Sequence, residues 1–179
     1  MNDLILLAIP EEAPDLAHMP NVFFTGVGKV NAALTVATLI ERYQPTRIFN
    51  FGTAGGITAS GLVQCTQFVQ RDMSCAPLGW AAGQTPYETE HYIGSTAGAT
   101  CSTGDSFVTD PVLELPADVV DMEAYALAKA CHNSNIEFVC YKYVSDQADN
   151  NASVEWQQQV SAGQSHYINV LKQYSIIQD

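Results

Sequence analysis

The residues of this sequence best suited to chemistry are three carboxylates, each of which follows an apolar stretch of chain. Glu12 comes soon after residues 4–9, Glu123 after a short strand, and Asp146 after residues 137–144. A carboxyl group at the end of a buried strand can serve as a general acid or base, or accept hydrogen bonds from a sugar diol. Structural explanations compete, since Asp146 also fits a helix N-cap or Asx turn and Glu123 a helix N-terminus. Taken alone, Asp146 fits the structural interpretation better, and the helix dipole is a sufficient structural reason for Glu123.

A glycine-rich segment, residues 52–56, follows another apolar run. Glycines after a strand let the backbone turn and approach a ligand, and free N–H groups there can hold an anion or a hydroxyl. The spacing matches neither the dinucleotide-binding G-x-G-x-x-G motif nor the Walker P-loop, which excludes both. Taken alone, these glycines are explained better by a plain strand–helix turn than by a ligand-binding role. Residues 26–29, before a helix, fit a flexible turn better than a ligand-binding loop.

Aromatic, histidine and cysteine residues add less. Phe107 can stack on a planar ring or return to the core. The 4 histidines are far apart, and the 5 cysteines show no C-x-x-C spacing. We therefore expect no metal site and reduced thiols, which are typical of a cytoplasmic protein.

Composition limits the partners. The chain has 7 basic and 19 acidic residues, a net charge of −12. Such a chain repels phosphate backbones and anionic lipid, which argues against nucleic acid and membrane surfaces. The apolar run at 4–9 is too short to span a bilayer and lacks the basic residues of a signal peptide. The expected partners are small neutral or cationic molecules and other copies of the chain.

Alternating apolar and amphipathic stretches predict a single α/β domain over residues 1–179, with residues 72–96 mostly loop. The predicted strands are 4–9, 22–25, 47–51, 64–69, a short strand ending at Val119-Val120, and 137–144. The predicted helices are 29–43, 122–133 and 153–174, the first with Val30, Leu34, Ala37 and Ile40 on one face. Because ligands of such sheets bind beyond the carboxyl ends of the strands, we expect the carboxylates and glycines at one rim.

Six blocks of sequence, taken in order over roughly residues 3–150, resemble the nucleoside phosphorylase and nucleosidase superfamily. The branch resembled most is that of the methylthioadenosine/S-adenosylhomocysteine nucleosidases. The blocks are Pro10-Glu11-Glu12, GVGKVNAA from Gly26, NFGTAGG from Asn50, STGDSF from Ser102, VVDMEAYALA from Val119 and SDQAD from Ser145. The resemblance implies a three-layer α/β fold, with a central twisted mixed β-sheet flanked by helices, as in purine nucleoside phosphorylase.

The resemblance also implies a purine nucleosidase that needs no cofactor. In that family pattern Glu12 activates the attacking water and Asp146 protonates N7 of the purine. The other implied contacts are Thr53 beside the water, Phe107 stacking on the base, the Val108 backbone at the base edge, Met122 and Glu123 on the ribose, and Ser145 orienting Asp146.

Three further functions remain open on the same fold. A phosphorylase would use phosphate in place of water. The chain has Asn50, Glu11 and Glu12 where phosphorylases of this superfamily carry arginines, which favours water, although Arg71 or an arginine of a partner chain could supply the missing positive charge. A futalosine-type hydrolase is the second. A non-catalytic nucleoside-binding protein is the third, although binding alone needs no pair of acids.

Two features bear on the pocket edge. The segment between the first strand and Gly26 is short, where longer relatives carry an added pair of strands. In the family, residues near this segment help to form the pocket for the 5′ substituent, so the identity of that substituent stays open. Residues 71–80 resemble a loop that reaches a neighbouring subunit in the family, which implies a homodimer.

Overall fold

Eight strands and four α-helices make up the part of the chain that the computed structural model describes, residues 3–110 and 114–178. The strands are β1 (Asp3–Leu7), β2 (Val22–Phe24), β3 (Arg47–Gly56), β4 (Leu62–Gln70), β5 (Ile93–Gly94), β6 (Ala99–Thr103), β7 (Val119–Asp121) and β8 (Glu137–Asp146). The helices are α1 (Lys29–Tyr43), α2 (Ala124–Asn133), α3 (Ala152–Gln159) and α4 (Gln164–Gln173).

The strands form one mixed sheet that closes on itself. β3 lies parallel to β1 and β8, β8 pairs antiparallel with β4, and β4, β6 and β7 follow in parallel. The ring closes where β7 pairs antiparallel with Gly55 and Gly56, after a register shift between Ala54 and Gly55. The predicted mixed sheet with helices is confirmed, whereas the three-layer arrangement is not, because five strands form a barrel-like ring.

The predicted glycine turn at 52–56 is the end of strand β3. A Cβ at Gly56 would lie 2.7 Å from the Ala59 carbonyl oxygen and from Val144 Cγ1, so the glycine permits close packing inside the sheet. The sequence pattern does not predict strand β6, because its residues are small and largely polar. The segment becomes a strand by pairing with β4 on one side and β7 on the other. The predicted helix 153–174 is two helices that separate at Gly163, where a Cβ would lie 2.3 Å from Tyr167 Oη.

Helix α1 packs on a different face from the predicted one. Ala32, Val36 and Leu39 are its buried residues, while Val30 is 68% exposed and Leu34 is 66% exposed. Both stripes have helical spacing, and only contact with the sheet decides which one is buried. The face that holds Val30 and Leu34 is left open to solvent.

Side chains of β1 and β3 alternate between two groups of helices, as strand geometry requires. Ile5 and Phe49 pack with α4 residues such as Leu171, whereas Leu6 and Ile48 pack with α1 and α2. Burial on both faces fixes the register of these strands and therefore the place where each one ends. None of the helices within the described residues is long and apolar enough to cross a membrane.

Candidate functional site

A cavity of about 350 Å³ lies beyond the carboxyl ends of β1, β3, β7 and β8. All eight residues singled out in the sequence border it: Glu12, Thr53, Phe107, Val108, Met122, Glu123, Ser145 and Asp146. The expected meeting of strand ends at one rim is therefore confirmed as a matter of position. Arg71 and Trp156 border the cavity as well.

Glu12 is buried against strand β3, with 4% of its surface exposed. Its Oε1 accepts hydrogen bonds from Thr53 N at 2.8 Å and Thr53 Oγ1 at 3.0 Å, and its Oε2 accepts one from Ala8 N at 3.0 Å. A Cβ on Gly52 would lie 2.9 Å from Oε1, so the glycine at this position lets the carboxylate rest on the strand backbone. The arrangement fixes the carboxylate tightly beside the cavity.

Asp146 forms an Asx turn, and its carboxyl group also borders the cavity. Its Oδ1 accepts a hydrogen bond from Ala148 N at 3.0 Å, which is an Asx turn, and its Oδ2 accepts one from Ser145 Oγ at 2.8 Å. The side chain is 4% exposed and borders the cavity. The turn thus fixes the carboxyl group at the edge of the cavity, and the Ser145 hydroxyl lies within hydrogen-bond distance of it.

Glu123 precedes helix α2 and its side chain makes no cap hydrogen bond there. Its Oε1 instead accepts a hydrogen bond from Gly28 N at 2.8 Å, so the turn at 26–29 contributes to the site after all. Burial, together with the nearby charge of Asp121, raises the pKa of Glu123 to about 7, against the opposing effects of Lys142 and the Gly28 N–H. The carboxyl group therefore gains or loses its charge near neutral pH.

Beneath Glu123 lies a buried ion pair that the sequence pattern does not predict. Lys142 Nζ is 2.9 Å from Asp121 Oδ2, and Lys142 is 2% exposed. Thr103 Oγ1 and Ala124 N also donate to the Asp121 carboxylate, at 2.6 Å and 2.9 Å. Burial alone would raise the pKa of Asp121, but these partners outweigh it and lower that pKa. Asp121 is thus committed to structure, at the junction of β7 and α2.

Arg71 clamps the loop that carries Phe107. Its guanidinium donates to the carbonyl oxygens of Ser102 at 2.6 Å, Gly104 at 3.1 Å, Ser106 at 2.5 Å and Asp121 at 2.8 Å. A planar fork of N–H donors suits this task. Phe107 is 45% exposed and faces the cavity, so it does not return to the core.

Trp156 is a cavity residue that sequence reasoning misses. Its indole nitrogen donates to Thr53 Oγ1 at 3.0 Å. It lies in α3, ten positions after Asp146. An aromatic residue in the helix that follows a strand-end acid is a weak signal, because such residues usually pack into a core.

Comparison with known proteins of similar sequence identifies the family of this chain. The family model described as "Phosphorylase superfamily" matches residues 15–104 and 100–174. A 5′-methylthioadenosine/S-adenosylhomocysteine nucleosidase of Anoxybacillus flavithermus is 32% identical, over 75% of this chain and 70% of that protein.

Solved structures show the same fold. That of the Streptococcus pneumoniae 5′-methylthioadenosine/S-adenosylhomocysteine nucleosidase with the transition-state inhibitor MT-ImmA has a TM-score of 0.84, at 23% identity over 96% of each chain. Futalosine hydrolase of Helicobacter pylori has a TM-score of 0.81, at 19% identity over 89% of this chain and 91% of its own. The chain belongs to the phosphorylase superfamily and, within it, to the family of the 5′-methylthioadenosine/S-adenosylhomocysteine nucleosidases.

Proposed function

We propose that this protein is a purine nucleosidase that hydrolyses the N-glycosidic bond of 5′-modified adenosine nucleosides of the methylthioadenosine and S-adenosylhomocysteine type. Residues 1–179 act as a single nucleosidase-like domain. The observation that carries the proposal is the placement of two buried carboxyl groups, Glu12 and Asp146, on one cavity. The name of the Anoxybacillus flavithermus relative supports the substrate class.

The two acids divide the reaction between them. Asp146 gives its proton to N7 of the purine, so the bond between the base and C1′ breaks with the base leaving as a neutral molecule. The ribosyl group becomes an oxocarbenium-like cation, as in glycoside hydrolysis. Water adds to C1′ and its proton passes to Glu12, whose negative charge also stabilises the cation.

The remaining cavity residues hold the substrate. Phe107 stacks on the purine and the Val108 backbone reads its edge, while Met122 and Glu123 contact the ribose. Orientation of this kind contributes to the rate because the reacting atoms meet without a further entropic cost. The Arg71 guanidinium holds the loop that carries Phe107 in position. It binds the carbonyl oxygen of Ser106 in this loop and that of Asp121, the strand-end residue before Met122.

Water is a better nucleophile than phosphate for this cavity. Arg71 is the single Lys or Arg side chain among the described residues that line it, and its guanidinium is already bound to four backbone carbonyls. Asn50, which stands where phosphorylases carry an arginine, donates to the carbonyl oxygens of Leu6 and Phe51. A phosphate dianion would also meet the charge of Glu12.

The direct test measures release of free base from a nucleoside panel, with and without phosphate. The panel holds methylthioadenosine, S-adenosylhomocysteine, 5′-deoxyadenosine, adenosine and futalosine. We expect adenine release from the 5′-thio nucleosides at equal rates in both buffers. Formation of a ribose 1-phosphate would favour the phosphorylase, preference for futalosine would favour that hydrolase, and binding without turnover would leave a nucleoside-binding protein.

Substrate binding is expected to strengthen as the pH rises through 7. Glu123 must be charged to accept both ribose hydroxyls, and its pKa in the free protein is raised to about 7. Between pH 8 and pH 6, kcat/KM should therefore fall about tenfold through this group. A pH profile of kcat/KM checks this, and Glu123→Gln should remove the step near pH 7. A step that persists in Glu123→Gln belongs to another group.

We also propose a cytoplasmic homodimer acting in methionine salvage. The exposed stripe of α1, made by Val30 and Leu34, continues to Val27, which is 48% exposed and borders the cavity. Covering this stripe would bury apolar surface and close one wall of the site. Sedimentation should give twice the chain mass of 19.4 kDa, and Leu34→Glu should yield monomers. A monomeric parent protein would contradict the dimer.

A further inference from the structure

Three hydrogen-bonded side chains lead from helix α3 to the carboxylate that the proposed function makes the general base. Trp156 Nε1 lies 3.0 Å from Thr53 Oγ1, which lies 3.0 Å from Glu12 Oε1. The three residues come from different elements, since Glu12 follows β1, Thr53 belongs to β3 and Trp156 to α3. The contact therefore depends on the tertiary fold.

The chemistry of the indole sets the direction of both hydrogen bonds. An indole N–H only donates, so Thr53 Oγ1 is the acceptor of the bond from Trp156. The hydrogen of the Thr53 hydroxyl is then available for the carboxylate oxygen 3.0 Å away, Glu12 Oε1. The hydroxyl is thereby committed to the carboxylate, whereas the family pattern places it beside the water.

The same bonds make the two oxygens of Glu12 unequal. Oε1 accepts from both the N–H and the hydroxyl of Thr53, at 2.8 Å and 3.0 Å. Oε2 accepts from Ala8 N at 3.0 Å and only weakly from Ile9 N at 3.5 Å. A carboxylate offers about two acceptor positions on each oxygen. Oε2 is therefore the oxygen with capacity left for the proton of an attacking water.

We propose that Trp156 is a positioning residue for Glu12 that acts through Thr53. The indole directs the hydroxyl hydrogen onto Oε1 and so holds the carboxylate with Oε2 free for the water proton. This inference goes beyond the proposed function but rests on it for the role of Glu12. In helix α3 Ala152 is the buried residue, so the Trp156 hydrogen bond also ties this exposed helix to the site.

Kinetics of two conservative variants test the inference. Trp156→Phe keeps an aromatic ring without the N–H, and Thr53→Val keeps the shape without the hydroxyl. We expect each to lower kcat about fivefold to tenfold, the effect of one lost hydrogen bond, with KM changed less than about twofold. The double variant should be no slower than Thr53→Val, because both substitutions interrupt the same contact.

Thr100→Val is the matched control, since it removes a threonine hydrogen bond of similar length, 2.9 Å to Gln67 Oε1, away from the cavity. Its kcat should equal that of the unchanged protein. Independent, multiplying effects of Trp156→Phe and Thr53→Val would overturn the inference. A Trp156→Phe variant that changes KM alone would do so too, because the ring would then act by contacting substrate.

An NMR comparison of variants separates this inference from the proposed function. The chain has 2 tryptophans, so the spectrum holds two indole N–H signals, one from Trp156 and one from Trp80 as internal control. We expect the Trp156 signal to change position in Glu12→Gln relative to the parent protein, and we expect no such change when Glu12→Gln is made in a Thr53→Val background. The same change of the Trp156 signal with and without the Thr53 hydroxyl overturns the inference even if base is released. A Trp156 signal that responds to Glu12→Gln only through Thr53, in a protein that releases no base, overturns the proposed function and leaves the contact standing.

Discussion

Replacing Asp146 by asparagine is expected to lower kcat on a 5′-thioadenosine by about 10²–10⁴-fold, the usual contribution of one general acid. Nucleoside binding should change little. Asparagine keeps an oxygen for the Asx turn to Ala148 N, and its amide still reaches Ser145 Oγ, so the local structure is preserved. The loss should therefore appear in turnover, measured by base release, while equilibrium binding and thermal stability stay near those of the parent.

The leaving group gives a sharper version of the same experiment. In a nitrophenyl riboside the leaving group is a nitrophenolate, which departs from C1′ as a stable anion and needs no proton. Asp146→Asn should hydrolyse this substrate almost as fast as the parent protein. Asp149→Asn is the matched control. Asp149 Oδ1 accepts a hydrogen bond from Asn151 N at 2.7 Å on an exposed turn outside the cavity. Equal losses on both substrates would exclude Asp146 as the acid, and full activity of Asp146→Asn on the nucleoside would do the same.

The site could be predicted from sequence because its residues are tied to strand ends. Glu12 and Asp146 each come at or soon after the end of an apolar run. Such a run predicts a buried strand, and therefore the position of each acid near a strand end, without knowledge of which strands pair. The carboxyl ends of parallel strands β1, β3 and β8 meet at one edge, which brings the acids together. Here a local pattern determines a long-range juxtaposition.

Closure of the sheet could not be predicted in this way. It depends on β6, whose residues have no apolar run, and on β7 meeting Gly55 and Gly56. Both are pairings between distant segments, and small residues at the contact decide them. The pattern of residues 52–56 favours a turn as readily as a strand, since glycine tolerates both. Packing in the folded sheet favours the strand, because Val120 and Val144 occupy the space where a Cβ of Gly55 or Gly56 would lie.

The supporting residues of the site could not be predicted from the sequence for a related reason. The Arg71 clamp and the Trp156 contact join residues 31 and 103 positions apart, through hydrogen bonds that no spacing reveals. From the sequence, Lys142 is expected to be an exposed lysine on an apolar strand. In the folded protein it is buried and forms an ion pair with Asp121. The carboxyl groups at the cavity can thus be found from the sequence, whereas the groups that hold them in place can be found only from the fold.

Replacing Glu12 by glutamine is expected to lower kcat by about 10²–10⁴-fold on the nucleoside, because the base that accepts the water proton is lost. The variant also has a structural cost. Glu12 accepts from N–H donors at both oxygens, and glutamine places an NH₂ group against one of them. One backbone donor then lacks its acceptor, which should cost about 1–3 kcal/mol of unfolding free energy. A denaturant titration measures this, and exposed Glu11→Gln is the matched control for both measurements.

The nitrophenyl riboside should distinguish the roles of the two acids. Glu12 acts on the water and on the cation, and both are needed whichever group leaves. Glu12→Gln should therefore stay impaired on the nitrophenyl riboside, on which Asp146→Asn recovers. Recovery of Glu12→Gln on that substrate would instead mean that Glu12 assists the leaving group, and turnover of the nucleoside close to that of the parent would remove it from the mechanism. The opposite response of the two variants to one change of leaving group is what the assignment of acid and base requires.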